Sequence, residues 1–132
     1  MSSREGLEAF IRVLGLPYRR LGGDYVVEVE RQGLGRVGLV VSLQEDVGFV
    51  RVAVPTEVEP TEEGLRWLLS ENFRAATYKY GLDYEGFVVV LVDAPAEAVG
   101  NARALRRLMA EAVEGYRRLM ERTVPGEEGG ES

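Results

Sequence analysis

One short run, residues 87–92 with the sequence Phe-Val-Val-Val-Leu-Val, constrains the fold of this chain more than any other feature. Every position is apolar and four are valine, so the run predicts a β-strand. Side chains alternate along a strand, so Val88, Val90 and Val92 face one side and the other three residues face the opposite side. Both sides therefore need cover. Helices of the chain could supply it on both faces, or helices could cover one face and a partner protein part of the other.

Apolar periodicity and turn residues divide the rest of the chain into further elements. The first predicted element is a helix capped by Ser2 or Ser3 and ended by Gly15 and Pro17. The other predicted elements are strands over residues 25–30, 37–43 and 49–54, a helix with Thr61 as its cap, strands over residues 74–80 and 87–92, and a last helix from residues 93–95 to about 122. Short connections between the strands favour antiparallel pairing. The predicted fold is α+β, with a five-stranded antiparallel sheet, three helices and the order α-β-β-β-α-β-β-α. We expect one domain over residues 1–122 and a flexible acidic tail over residues 123–132.

Composition excludes several kinds of chemistry. The 132 residues include no cysteine and no histidine, which removes most zinc sites and the Ser-His and Cys-His catalytic pairs. The net charge of −6 disfavours nucleic acid and anionic membranes, and glutamates interrupt the arginines of the last helix. No apolar run could span a membrane and no signal peptide is evident, so we expect a cytoplasmic protein. Fifteen arginines against one lysine, with only four amide side chains, suit a hot-growing source.

The segment Gly33-Leu34-Gly35-Arg36-Val37-Gly38 matches the spacing of the dinucleotide-binding motif. That motif binds a pyrophosphate only when a helix begins within it, because helix N–H groups contact the phosphates. Here a predicted strand follows the glycines, so they are interpreted as hairpin residues. We therefore predict no nicotinamide, flavin or other cofactor.

Two alternatives to a binding protein rest on charged residues. Asp83, Glu85 and Asp93 could serve a small carboxylate-dependent enzyme if they converged in a cleft, although turn and cap positions already explain them. The second alternative is a module that binds an anionic ligand. It would use three arginines, Arg36, Arg51 and Arg74.

The second predicted helix carries the residues most suited to contact a partner. Leu65, Leu68 and Leu69 mark its predicted core-facing stripe, and Trp67 lies beside that stripe rather than within it. An aromatic residue off the core stripe fits a contact surface. The residues predicted to contact a partner or a second copy are Leu65, Trp67, Leu68, Val88, Val90 and Val92.

Several local patterns resemble those of a known family. The segments Leu68-Leu69-Ser70-Glu71-Asn72-Phe73, Tyr80-Gly81-Leu82-Asp83-Tyr84-Glu85-Gly86 and Asp93-Ala94-Pro95, followed by a long helix, resemble the YbjN-like domains, which share a fold with the type III secretion chaperones. The resemblance implies a domain that dimerises, with residues 61–71 of the middle helix in the dimer contact, and that binds protein segments without catalysis. Nothing in the sequence indicates a secretion system. The predicted function is a cytoplasmic, homodimeric protein-binding domain.

Overall fold

Within residues 3–131, which the computed structural model describes, three α-helices and a six-stranded antiparallel sheet form an α+β fold. The elements are α1 (Arg4–Leu14), β1 (Tyr18–Leu21), β2 (Asp24–Arg31), β3 (Gly35–Gln44), β4 (Phe49–Pro55), α2 (Glu62–Arg74), β5 (Lys79–Leu82), β6 (Val88–Pro95), a 3-10 turn (Ala96–Ala98) and α3 (Ala102–Glu131). The order across the sheet is β1-β2-β3-β4-β6-β5. The predicted class and antiparallel pairing are confirmed, whereas the predicted count of five strands is wrong.

The strand missing from the prediction is β1, which follows Pro17 at one edge of the sheet. Its sequence, Tyr-Arg-Arg-Leu, shows no apolar alternation, so periodicity gives no strand signal. Backbone pairing with β2 forms it: Tyr18 lies opposite Val27, and a turn at Gly22, with a φ of 62°, joins the two strands. The strand therefore depends on its neighbour and not on its own side chains.

Two predicted boundaries also move. Arg74 ends α2 and does not begin a strand, and β5 starts only at Lys79. Pro95 ends β6 and does not begin the last helix. The helix α3 starts after Asn101, whose side-chain Oδ1 accepts a hydrogen bond from the Ala104 N–H at 2.8 Å. This N-terminal cap sets the start of the helix because it satisfies a backbone donor that has no partner within the helix.

The helices pack against one face of the sheet. On that face Val27 lies opposite Leu39, Val41 opposite Val52, and Val52 opposite Val92, and all five are buried. The helices α1 and α3 contribute Leu7, Ile11, Leu105, Met109 and Ala112 to the same core. Of the two arrangements considered for the apolar strand β6, the structure has the one in which helices cover only one face of the sheet.

Close contact between α3 and the sheet depends on Gly115. A Cβ atom at this position would lie 2.7 Å from Val90 Cγ1 and 2.8 Å from the Tyr78 ring, closer than real side chains approach. The Tyr80 hydroxyl donates a hydrogen bond of 2.6 Å to the Gly115 carbonyl oxygen, and burial raises the pKa of that hydroxyl. Glycine thus lets α3 lie directly on β6.

A buried carboxylate joins α1 to the edge of the sheet. Glu8 accepts hydrogen bonds from Arg20 and Tyr18 at 2.9 and 2.7 Å and from Arg12 at 3.2 Å. The hydrogen bond from Arg20 is the main reason that the pKa of Glu8 lies below its ordinary value. These hydrogen bonds make the cluster a structural link between α1 and the edge of the sheet.

Side chains are described as far as Arg122, so the predicted tail of residues 123–132 lies outside the described side chains. The division into a domain of residues 1–122 and a tail stays a prediction. Within residues 3–131, none of the helices combines the length and the apolar character needed to cross a bilayer.

Candidate functional site

The helix α2 begins with a side-chain cap and an acidic first turn. Thr61 Oγ1 accepts a hydrogen bond from the Gly64 N–H at 3.0 Å, which satisfies one of the unpaired donors at the helix start. Glu62 and Glu63 follow, where negative charge interacts favourably with the helix dipole. The start predicted at Thr61 is confirmed.

Three large apolar side chains point away from the core on α2. Leu65, Leu69 and Phe73 are 38%, 69% and 93% exposed. Residues four apart lie on the same side of a helix, so the three form one continuous stripe, called the outer stripe here. The prediction that Leu65 and Leu69 face the core is therefore wrong. Single exposed apolar residues are common, but these three lie in line on one helix and form a continuous exposed apolar surface.

The inner face of α2 is held by Leu68, Trp67 and Glu71. Leu68 is buried, and the Trp67 ring lies 5.7 Å from the Tyr80 ring with the Arg122 guanidinium 5.9 Å from its centroid. Beside Trp67 is a cavity of about 300 Å³, the Trp67 groove. Its apolar lining consists of Val58, Pro60, Trp67, Leu68, Val88 and Leu119. Three of the six predicted contact residues, Trp67, Leu68 and Val88, thus lie together.

Glu71 fixes the orientation of α2. Its buried carboxylate accepts hydrogen bonds from Arg74 at 2.8 and 3.2 Å and from Arg118 of α3 at 3.1 Å. The hydrogen bonds from Arg74 contribute most to lowering the pKa of Glu71, while burial acts in the opposite direction. Because Glu71 faces α3, the outer stripe on the other side of α2 faces away from the core.

The three predicted valines of β6 lie in the core, whereas the predicted contact residue Leu65 lies on the outer stripe. Val88, Val90 and Val92 are all buried beneath the helices, so they do not present a surface while the fold is intact. The opposite side of β6 carries Val89 and Leu91, which are only partly buried. The exposed side of β6 is therefore formed by Val89 and Leu91 and not by the three predicted valines.

The face of the sheet opposite the helices, called the open face here, carries a row of apolar side chains across four strands. Val26 lies opposite Val40, Val40 opposite Ala53, and Ala53 opposite Leu91. All four are partly exposed. Antiparallel sheets often leave one face in water, but a row of this kind also suits a protein contact.

This architecture was compared with families and structures of known proteins. No protein-family model and no curated protein matches the chain. A chain of the HopA1–SchA chaperone–effector complex matches with a TM-score of 0.65 and 21% identity over 89% of this chain and 92% of that chain. The E. coli protein YbjN matches with a TM-score of 0.69 and 12% identity over 96% and 94%. A chain of the heterodimeric ExoU–SpcU complex from the type III secretion system of Pseudomonas aeruginosa matches with a TM-score of 0.56 and 22% identity over 87% and 95%.

The chain has a YbjN-like, type III secretion chaperone-like fold. The resemblance stated from the sequence is confirmed at this level. At identities of 12–22%, the likeness concerns the fold, and function must be argued from the surfaces.

The predicted carboxylates do not meet on this YbjN-like fold. Asp83 lies in the turn before β6, where its side chain accepts hydrogen bonds of 2.9 Å from the Glu85 and Phe87 N–H groups. Asp93 lies near the other end of β6, five strand residues beyond Val88, or about 16 Å. Its two oxygens are occupied by Arg51 at 2.7 and 2.8 Å. The arrangement required for the enzyme alternative is not formed.

The arginines of the anionic-ligand alternative are each engaged separately. Arg36 lies 3.9 Å from the carboxylates of Glu28 and Glu30. Arg51 pairs with Asp93, and Arg74 with Glu71. They do not form a convergent cluster. Among residues 3–122, no group of three acidic, histidine or cysteine side chains is arranged to hold a metal ion.

The glycines of residues 33–38 divide into two kinds. Gly33 and Gly35 have φ angles of 84° and 74° in the hairpin between β2 and β3, a backbone conformation that glycine adopts without strain. Strand β3 begins at Gly35, so this segment offers no helix N-terminus to a pyrophosphate. Gly38 lies within β3 and needs a different explanation.

Sequence reasoning included Leu65 among the contact residues but missed Leu69 and Phe73 of the outer stripe. The signal was present, because Leu65, Leu69 and Phe73 are spaced by four residues. A competing stripe of Leu65, Leu68 and Leu69 also has helical spacing, and a helix this short does not distinguish the two stripes by period. The choice between them depends on the polar residue that is buried, Glu71, which apolar periodicity does not reveal.

Proposed function

We propose that this protein is a non-catalytic protein-binding domain that forms a homodimer through the outer stripe of α2. The observation that carries the proposal is the exposure of Leu65, Leu69 and Phe73 in one line. Burying a large apolar side chain contributes about 1.5–3 kcal/mol, so an interface that covers all three is favourable enough to offset part of the cost of association. A twofold axis is the commonest symmetry for such an assembly.

Charge along α2 favours an antiparallel pair of helices across that axis. If two copies cross at Leu69, Phe73 of each lies opposite Leu65 of the other. The acidic first turn, with Glu62 and Glu63, then approaches the helix end that carries Arg74. Opposite charges at the rim of an apolar contact favour this orientation over the parallel one.

The similar structures support a role in protein binding. HopA1–SchA is a chaperone–effector complex and ExoU–SpcU is a heterodimeric complex, so this fold occurs in assemblies of two different proteins. The proposal includes no cofactor, no nucleic acid and no catalytic residue. It also retains a cytoplasmic location, which cell fractionation of the source organism would test.

Light scattering after size-exclusion chromatography tests the dimer. The wild type should have about twice the 14.6 kDa chain mass, and Leu69→Glu and Phe73→Glu should both shift it to the monomer. An unpaired carboxylate in a desolvated contact costs several kcal/mol, roughly what a small interface contributes. Val13→Glu is the matched control, since Val13 is an apolar residue of α1 that is 75% exposed. A monomeric wild type at tens of micromolar contradicts the proposal.

We also propose a hot-growing source, on the strength of the arginine and amide composition. Mesophilic domains melt at about 45–65 °C, so the expected result is a melting temperature well above that range. Calorimetry of the purified protein measures it directly. A transition within the mesophilic range would leave a GC-rich genome as the explanation for the arginines.

A further inference from the structure

Gly38 is a glycine that the fold of this chain does not require. It lies within β3, directly opposite Glu28 of β2, and its φ angle is not positive. A Cβ atom added there would meet no atom within 4 Å, so packing does not exclude a side chain either. Glycine inside a strand weakens the strand and often marks a place where a ligand or another chain approaches closely.

The missing side chain leaves a notch of about 210 Å³ next to the sheet edge. Its walls are formed by residues of β1, β2 and β3 and by Pro17, which precedes β1. The lining residues are Pro17, Tyr18, Arg19, Val26, Glu28 and Gly38. Sites for drug-sized molecules are about 300–1,000 Å³, so the notch is too small for most such ligands and suits one anchoring side chain. Val26 continues it into the apolar row of the open face.

Two charged residues line the notch, Glu28 and Arg19, and the Arg36 guanidinium lies 3.9 Å from the Glu28 carboxylate. The cations on the open face are Arg19, Arg36, Arg51 and Lys79. Among residues 3–122, Arg36 and Arg51 lie near carboxylates, and Lys79 donates hydrogen bonds to the backbone carbonyls of Asn72 and Ala75. No hydrogen bond or ion pair with these described residues engages the Arg19 side chain, so its charge is available to an incoming carboxylate.

We infer that the notch at Gly38 receives an aromatic or leucine side chain from a partner protein, and that a carboxylate adjacent to that side chain pairs with Arg19. The inference rests on the proposed protein-binding function and specifies the chemistry of the partner. It concerns the open face, which a dimer formed through the outer stripe of α2 leaves accessible. The apolar row from Val26 to Leu91 extends the contact across the sheet.

Nuclear magnetic resonance titration of the ¹⁵N-labelled full chain tests the inference with two blocked peptides. The probes are acetyl-Gly-Phe-Asp-Gly-amide and the same peptide with Lys in place of Asp. The expected result is movement of the Gly38, Glu28 and Arg19 amide signals with the acidic peptide, and binding at least several times weaker for the basic one. Arg19→Glu should reverse this preference.

Gly38→Val fills the notch and separates binding from folding. Valine favours strands and has free space here, so the variant should melt at or above the wild-type temperature while it binds the acidic peptide about tenfold more weakly or not at all. Gly38→Ala should lie between the two. The mass of Gly38→Val in light scattering should equal that of the wild-type dimer. Loss of the dimer and loss of peptide binding at the notch are therefore observed separately.

Four results would overturn the inference. The first is equal affinity for the two peptides, and the second is binding that Gly38→Val leaves unchanged. The third is movement of the Gly38 signal upon dilution of the protein alone, which would identify a second copy of the chain as the occupant. The absence of any shift with either peptide at millimolar concentration also excludes the proposed anchor.

Discussion

Leu68 and Leu69 are neighbours in the chain but lie in different environments on α2. Leu68 is 6% exposed and packs beside Trp67, whereas Leu69 is 69% exposed on the outer stripe. Consecutive helix residues are rotated by about 100°, which is enough to move one leucine from the core to the surface. The comparison shows that apolar residues in one helix have two different environments: the inner ones pack in the core, and the outer ones are exposed.

The largest expected effect is on the inner leucine. Leu68→Ala should lower the free energy of unfolding by about 2–4 kcal/mol, because it removes buried methyl groups and leaves a cavity. Leu69→Ala should change it by no more than about 0.5 kcal/mol, as is usual for exposed positions. Denaturant unfolding measures both, at protein concentrations where each variant is monomeric, since association adds apparent stability. Equal losses for the two variants would mean that the outer stripe also packs within the monomer.

The same comparison applies to the sheet, with a smaller difference. Val41 is buried on the helix-covered face, and its neighbour Val40 lies on the open face. Val41→Ala should cost about 2 kcal/mol and Val40→Ala less than about 1 kcal/mol. Thermal and denaturant unfolding of the pair give the values. A larger loss at Val40 would show that the open face is covered in solution.

Glu71→Gln tests the contact that holds α2 in its orientation. The variant should lose about 1.5 kcal/mol, because the two arginines keep only a neutral acceptor. The folded-state pKa of Glu71 lies below its ordinary value of 4.5, so its contribution is complete above that value and is lost as the pH falls through the folded-state pKa. Stability of the wild type should therefore fall more steeply than that of the variant below about pH 4.5. Parallel acid unfolding curves would contradict this assignment.

The smallest effect is expected from the C-terminus. Removal of residues 126–132, which include three glycines and three glutamates, should leave the melting temperature within about 2 °C, because the segment contains no apolar residue to bury. Differential scanning calorimetry of the shortened chain measures it. A drop several times larger would show that this segment packs against the rest of the protein.

The sequence predicted most of the fold because the strands carry their own pattern. Alternation at residues 37–43 and short turns predicted the antiparallel meander, and the spacing of Leu7 and Ile11 predicted α1. The edge strand β1 was missed because its residues are mostly polar and its strand conformation comes from pairing with β2. Apolar periodicity in a sequence indicates which residues are buried, and an edge strand with few buried residues therefore shows little periodicity.

The candidate site was predicted in part. Trp67, Leu68 and Val88 were chosen as contact residues, and the structure places all three at the Trp67 groove. Leu69 was assigned to the core because Leu65, Leu68 and Leu69 have ordinary helical spacing. Glu71 decides otherwise: its carboxylate accepts a hydrogen bond from Arg118 of α3, which turns a different face of α2 inward. A partner 47 residues away cannot be inferred from local periodicity.

By itself, the sequence determined the α+β class, the antiparallel sheet, the start of α2 at its cap Thr61 and the absence of cysteine and histidine side chains. These features depend on local backbone preferences and on which side chains exist. The tertiary structure decided which face of each element is covered. That choice rests on long-range contacts, such as Glu71 with Arg118 and Gly115 against Val90, whose energies exceed the small local preference for one helix rotation over another.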